Sequence, residues 1–207
     1  MKSKIRWAFF LSGYGSSALS VFDLYREELF KSHEFVILIT DGQTTPVEDI
    51  CRKMDMEVKA ESAKSHDSIE AYQTQMIDKL KSLNIDYIFL LNYHYRIREA
   101  LLEAFPNRIV NVHPSLLPSF KNTRTAIQDA MDYGVRVSGI TTHIIDAEID
   151  GGTILSQKAV SFGRGETFET IIQKYRSTAP KVFLETFNLI SENHHSTKFL
   201  EKIVCGQ

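Results

Sequence analysis

Asn111 and His113 stand two residues apart near the middle of the chain. If they lie on a β-strand, both side chains point to the same face. The amide N–H of Asn111 and a protonated His113 could stabilise an oxyanion, and His113 could also move protons near neutral pH. Both residues could equally serve only to hydrogen-bond the loop at 114–118. Spacing alone leaves carbonyl chemistry and a structural turn open.

An acidic loop follows later, with the sequence DAEIDG at 146–151. A carboxylate just before Gly151 could pair with an imidazole such as His113 and orient it. The loop partly fits a calcium-binding pattern, but Gln157 stands where that pattern needs glutamate, so calcium is not favoured. A solvated hairpin remains the alternative for Asp146 and Glu148. His143, in a β-branched run, is expected to be a packing residue.

A glycine-containing loop, SGYGSSA at 12–18, follows the first apolar run. It fits the pattern G-x-G-x-x-A at a strand-to-helix turn, where free N–H groups and the helix dipole favour an anion. With Asp41 at the end of the next apolar run, the loop also fits a nicotinamide-binding enzyme. The remaining alternative is a tight turn without a ligand.

Aromatic and charged residues at 93–96 follow another buried strand and could line a pocket for a flat ring, or simply enter a helix.

Strands and helices, which must position these sites, alternate along the chain. Apolar runs at 5–11, 35–40, 87–91 and 108–113 predict buried strands, and helical spacing predicts helices at about 19–29, 46–54, 68–83 and 124–133. This order is typical of a doubly wound α/β fold with a mostly parallel sheet.

The last third of the chain differs from this alternation. β-Branched runs at 137–145 and 153–160 predict an antiparallel strand pair, and apolar residues between 166 and 191 predict a closing helix with a possible kink at Pro180. A polar tail is expected at 191–207.

Composition limits the class of protein. A chain of 207 residues with 43% hydrophobic and 24% charged residues predicts one globular domain spanning 1–207. The net charge of −2 favours neither nucleic acid nor an anionic membrane as partner. Cys51 and Cys205 stand far apart, which predicts neither a disulfide scaffold nor a cysteine-based zinc site and favours the cytoplasm. No apolar run is long enough for a signal peptide or a membrane span.

Three stretches together resemble the folate-dependent formyltransferases. They are SGYGSS at 12–17, NVHPSLLP at 111–118, and GITTH at 139–143 followed by IDGGTIL at 149–155. The similarity covers residues from about 5 to 190. It implies a Rossmann-like fold and formyl transfer from 10-formyltetrahydrofolate to a primary amine, without a metal. Length and the first loop are most similar to members that formylate phosphoribosylglycinamide in purine biosynthesis.

The resemblance also implies roles for individual residues. Asn111 and His113 would polarise the formyl carbonyl, and Asp150 would orient His113 and a water that relays protons. The substrate phosphate would bind residues of the first loop, namely Ser12, Gly13, Tyr14, Gly15, Ser16 and Ser17. The folate would contact His94, Tyr95, Arg96, Ile97, Asn111, Ile145, Asp146 and Asp150.

Several positions depart from the family pattern. Tyr14 and Ser17 replace asparagines, Asn122 replaces a glycine, and Ile69 replaces an arginine. Ala179 stands where the family carries a glutamate that touches the substrate ribose. The acceptor therefore stays open, with an amino-sugar nucleotide as the alternative to phosphoribosylglycinamide.

Other functions remain alternatives at this stage. They are an NAD(P)-binding oxidoreductase that uses the glycine loop, and an inactive binding protein that kept the pocket. Related formyltetrahydrofolate hydrolases carry an additional N-terminal domain, so hydrolysis is not expected. We expect a monomer or homodimer acting on small molecules.

Overall fold

The computed structural model describes residues 3–42 and 45–194, except for the side chain of Ser16. Of the predicted polar tail, only residues 191–194 belong to this part, and Cys205 lies outside it. The chain divides into two compact units, residues 1–110 and 111–207.

The first unit alternates strands and helices, as the apolar pattern predicts. Its elements are β1 (Ile5–Leu11), α1 (Ser16–Arg26), β2 (His33–Thr40), α2 (Pro46–Lys53), β3 (Glu57–Ala60), a 3₁₀ turn (Ala63–Ser65), α3 (Ile69–Ser82), β4 (Tyr87–Leu91) and α4 (Glu99–Ala104). β1 pairs in parallel with β2 and with β4, and β2 pairs in parallel with β3.

Burial on both faces explains the continuous apolar sequence of β1. Trp7, Phe9 and Phe10 are fully buried although neighbouring residues of a strand point to opposite faces. The indole N–H of Trp7 donates to Nδ1 of His33 at 2.9 Å, which satisfies a polar hydrogen in this apolar layer. Side chains also fix the starts of two helices, because Thr45 caps α2 and Ser68 caps α3.

The second unit contains the last part of β5 (Ile109–His113), then α5 (Ala126–Tyr133), β6 (Val137–Ile144), β7 (Ile154–Ser161) and α6 (Phe168–Asn193). β6 and β7 form the predicted antiparallel pair, in a register that places Thr141 opposite Gln157. In the part of the chain that the structure describes, seven strands have the order β3-β2-β1-β4-β5-β6-β7, with β3 and β7 at the two ends.

α6 covers the β6–β7 pair with an apolar face. Its buried residues recur every three or four positions, at Ile171, Tyr175, Ala179, Val182, Phe183, Thr186, Phe187 and Ile190. The helix runs through Pro180 as one α-helix, although proline there cannot donate to the preceding turn.

The observed elements confirm the predicted fold class, a mostly parallel α/β sheet with an antiparallel strand pair and a closing helix. The sequence did not predict α4, whose six residues are too few to show a helical period. None of the helices within residues 3–42 and 45–194 combines the length and the hydropathy that crossing a membrane requires.

Candidate active site

β5 ends on the residues that the sequence singles out. Asn111 is half-buried and His113 is 4% exposed, and both belong to the second unit. His113 Nε2 lies 2.8 Å from the carbonyl oxygen of Phe120, and His113 Nδ1 lies 3.5 Å from Oδ2 of Asp150. A carbonyl oxygen only accepts, so Nε2 must donate to Phe120. A proton on Nδ1 would then complete the pair with Asp150.

The Asp150 carboxylate has a second partner on the same oxygen. The backbone N–H of Asn122 donates to Oδ2 of Asp150 at 2.8 Å. A nearby ion pair joins the same two loops, since Nζ of Lys121 lies 2.8 Å from Oε1 of Glu148. The loop after β5 and the loop after β6 therefore meet at Asp150.

The turn that carries Asp150 depends on Gly152. Asp150 itself has φ +52°, a left-handed conformation that costs a non-glycine residue about 1–2 kcal/mol. Gly152 has φ +84°, and a Cβ there would lie 2.0 Å from the carbonyl oxygen of Ile144. The backbone of the turn thus packs directly against the end of β6, which only glycine allows.

Asn111 contacts His143 of β6. Nδ2 of Asn111 lies 3.2 Å from Nε2 of His143, and Nδ1 of His143 lies 2.7 Å from the carbonyl oxygen of Gly151. His143 is fully buried, and burial lowers its pKa below 6.5, although the Gly151 carbonyl and the Asp150 carboxylate act in the opposite direction. The packing role that the sequence predicts for His143 does not explain these two polar contacts.

Thr141 of β6 fixes the loop that follows His113. Its hydroxyl donates to the carbonyl oxygen of Ser115 at 2.6 Å. It accepts from the N–H of Leu117 at 3.1 Å and from Nε2 of Gln157 at 2.9 Å. These bonds satisfy buried backbone groups at 115–117 and so set the course of the chain towards Phe120.

The glycine loop lies in the first unit. Gly15 has φ +85° and precedes α1, and a Cβ there would lie 2.7 Å from Cγ2 of Val47. Among the side chains that the structure describes, none caps the start of α1, whose first N–H groups have no acceptor within the helix. Tyr14 is 70% exposed, and its carbonyl oxygen accepts from the Thr45 hydroxyl at 2.8 Å. Ser12 is buried, and its hydroxyl accepts from the N–H of His94 at 3.1 Å.

The segment at 94–97, also in the first unit, is held by Gln73 of α3. Nε2 of Gln73 donates to the carbonyl oxygen of Arg96 at 2.9 Å, and its Oε1 accepts from the N–H of Arg98 at 2.8 Å. His94 and Arg96 are exposed, Tyr95 is half-buried and Ile97 is buried. Of the other predicted folate contacts, Ile145 and Asp146 lie on the loop after β6, where Oδ1 of Asp146 accepts from the N–H of Glu148.

Two of the residues that depart from the family pattern, Asn122 and Ala179, have a local explanation in the structure. Asn122 has φ +62°, and asparagine tolerates this conformation better than other non-glycine residues. Its contact with Asp150 is made by the backbone and needs no particular side chain. Ala179 lies on the buried face of α6, and Ile69 is the first residue of α3.

Sequence reasoning missed two residues of this region, His143 in its polar role and Gln73. Gln73 gave one signal, since it is a polar residue within the apolar positions 72, 76, 77 and 80 of α3. Among residues 3–42 and 45–194, no cluster of His, Cys, Asp or Glu is arranged to hold a metal ion.

Comparisons with known proteins agree with the resemblance. The family model described as formyl transferase matches residues 5–187. The phosphoribosylglycinamide formyltransferase of Bacillus subtilis is 32% identical over 169 residues, which are 82% of this chain and 86% of that protein.

Two solved structures are also similar. The phosphoribosylglycinamide formyltransferase of Bacillus halodurans has a TM-score of 0.85 and 33% identity, covering 93% of this chain and 100% of that one. The glycinamide ribonucleotide transformylase 1 of Symbiobacterium toebii has a TM-score of 0.86 and 28% identity, covering 92% and 89%. With the family model matching most of its length, the chain belongs to the formyl transferase family and is a formyltransferase.

Proposed function

We propose that this protein transfers the formyl group of 10-formyltetrahydrofolate to the primary amine of phosphoribosylglycinamide, a step of purine biosynthesis. The observation that carries the proposal is that one compact unit contains Asn111 and His113, two residues apart on β5, with the Asp150 carboxylate beside the His113 ring. An amide donor, an imidazole and a carboxylate are the groups that acyl transfer to an amine requires. The named relatives support the choice of acceptor.

The reaction balances with these residues alone. The amine nitrogen attacks the formyl carbon, and the carbonyl electron pair moves to oxygen. The N–H of Asn111 that does not face His143 stabilises the resulting oxyanion. The bond from carbon to N10 then breaks, and the proton lost by the attacking amine is returned to N10, so that the products are the formylated amine and tetrahydrofolate.

His113 carries the proton in this scheme, and its hydrogen bonds limit how its ring can reach the formyl oxygen. Nε2 donates to Phe120 and Nδ1 faces Asp150. For Nε2–H to contact the formyl oxygen, the bond to Phe120 must be broken or shared. The Asp150 carboxylate lies on the Nδ1 side of the ring, where it can accept a hydrogen bond from an Nδ1–H.

The remaining site residues have proposed binding roles. The substrate phosphate binds N–H groups of the loop at the start of α1, with Ser12, Gly13, Tyr14, Gly15, Ser16 and Ser17. The folate contacts His94, Tyr95, Arg96, Ile97, Ile145 and Asp146. Gln73 keeps the backbone at 96–98 in place for this contact. We further propose a single functional domain that works in the cytoplasm without a metal, as a monomer or homodimer.

The experiment measures tetrahydrofolate production from 10-formyltetrahydrofolate by the wild-type protein. Phosphoribosylglycinamide is the acceptor, and reactions without acceptor and with a nucleotide-linked amino sugar run in parallel. Saturable turnover only with phosphoribosylglycinamide is the expected result. Turnover only with the amino sugar would contradict the assignment of phosphoribosylglycinamide as the acceptor. Turnover without any acceptor would indicate a hydrolase.

Two variants test the assigned residues. Asn111→Ala and Asp150→Asn should each lower kcat by about 10²-fold or more. Glu148→Gln is the matched control, because it changes an exposed carboxylate of the same loop to an amide and should keep wild-type turnover. Near-wild-type kcat in either of the first two variants would contradict the mechanism.

A further inference from the structure

His143 joins two parts of the site, yet the proposed reaction gives it no task. Its ring is fully buried on β6. One ring nitrogen lies 3.2 Å from the amide nitrogen of Asn111, and the other lies 2.7 Å from the carbonyl oxygen of Gly151, next to Asp150. A ring that only fills space needs neither contact.

The two contacts determine where the hydrogens are. The Gly151 oxygen can only accept, so Nδ1 of His143 carries a hydrogen. Burial opposes a second proton and lowers the pKa of the ring, with His113 acting in the same direction and the Asp150 carboxylate in the opposite one. Nε2 therefore presents a lone pair, and the amide of Asn111 donates to it.

This donation selects one of two orientations of the Asn111 amide. Rotation by half a turn would exchange its NH₂ group and its oxygen, and would put two acceptors face to face. Apart from His143, Asn111 has no side-chain hydrogen bond to any residue that the structure describes. His143 is thus the partner that holds the NH₂ group in place and leaves its second N–H for another acceptor.

We propose that His143 is a positioning residue that keeps the Asn111 amide in its donor orientation during formyl transfer. The inference rests on the proposed function, since the second N–H of Asn111 is the one assigned to the oxyanion. Without the lone pair of His143, the amide can rotate and turn its oxygen towards the developing negative charge, which would repel it.

Two variants separate the two contacts of the ring. In His143→Gln, the side-chain amide can put an oxygen where Nε2 stands, so the acceptor for Asn111 is kept and the bond to Gly151 is lost. In His143→Asn, an amide N–H replaces Nδ1, so the bond to Gly151 is kept and the acceptor is lost. We expect kcat within about 3-fold of wild type for the first and about 10-fold lower or more for the second, with KM little changed in both. Equal losses in the two variants would overturn the proposal.

A double-mutant cycle adds a readout that a purely structural role would not change. If His143 acts through Asn111, His143→Asn should lower kcat no further once Asn111→Ala is present. Additive losses would show that His143 acts independently of Asn111 and would contradict the inference.

The hydrogen placement can be measured without any turnover. Two-bond ¹H–¹⁵N correlation spectra of the wild-type protein should show His143 protonated at Nδ1 and unprotonated at Nε2 at pH 7. A hydrogen on Nε2 would refute the inference even if the variants failed to fold. If wild type transfers no formyl group while the spectra show the expected tautomer, the proposed function fails and the arrangement of His143 stands.

Discussion

Gly152→Ala tests the close packing of the turn that carries Asp150. At this position a Cβ would lie 2.0 Å from the Ile144 carbonyl oxygen, about 1 Å closer than side-chain carbons approach other atoms. Because the obstacle is backbone, the turn or the end of β6 must move. Gly134→Ala is the matched control, since Gly134 has φ +81° against +84° for Gly152, but a Cβ added there meets no atom of the described residues within 4 Å.

Both variants place an alanine in a left-handed backbone conformation, but only Gly152→Ala also overpacks its surroundings. A left-handed alanine costs about 1–2 kcal/mol in either place. Gly152→Ala adds about 1–3 kcal/mol for overpacking, so its free energy of unfolding should fall by at least about 1 kcal/mol more than that of Gly134→Ala. A shift of the turn by about 1 Å also displaces Asp150, and misplacement on that scale costs about 10²-fold in turnover.

Urea unfolding followed by circular dichroism measures both free energies, and formyl transfer is then assayed where both variants remain folded. We expect Gly134→Ala to keep wild-type kcat. Equal stability losses in the two variants, or wild-type kcat in folded Gly152→Ala, would refute the argument that direct backbone packing shapes this turn.

Three further predictions concern other contacts. Burial raises the pKa of the Cys51 thiol to about 12, so iodoacetamide should alkylate Cys51 far more slowly in the native than in the unfolded protein at pH 8, as peptide mass spectrometry can measure. Thr141→Val leaves the Leu117 N–H and the Ser115 carbonyl without this partner and should cost about 3 kcal/mol in urea unfolding, whereas Thr141→Ser should cost about 1 kcal/mol. The folded pKa of His143 lies below 6.5, so the unfolded chain binds this proton first and stability falls as the pH drops below 6.5. Wild type should therefore lose up to about 1.4 kcal/mol per pH unit more than His143→Gln between pH 6.5 and 5, and equal slopes would contradict this assignment.

β1 and β4 were predictable from the sequence because burial on both faces leaves a continuous apolar run. Both bounds of β1 and of β4 agree with the predicted runs at 5–11 and 87–91. The β6–β7 pair was predictable for a related reason, since two β-branched runs flank a short Gly-containing turn. α4 was not, because one and a half turns of helix contain too few residues for a period.

The functional family was predictable from Asn111, His113 and the turn at 149–152, whose spacing resembles one family closely. The task of His143 was not predictable, because it depends on which strand lies beside β5 and on a contact with the backbone carbonyl of Gly151. Neither can be read from residue types alone. Gln73 was missed for the same reason, since its partners at 96 and 98 lie 23 and 25 residues away along the chain.

The strand order leaves β3 and β7 as the two ends of the sheet, where backbone groups can pair with a strand of another molecule. Charges occupy both ends. Glu57 and Lys59 of the four-residue β3 form ion pairs with Lys79 and Glu61, and Lys158 of β7 pairs with Glu185. An added strand would have to displace or desolvate these charges, which opposes edge-to-edge association. Since dissolved salt screens exposed charges, this protection weakens with ionic strength, and the colloidal behaviour of the protein should depend on salt.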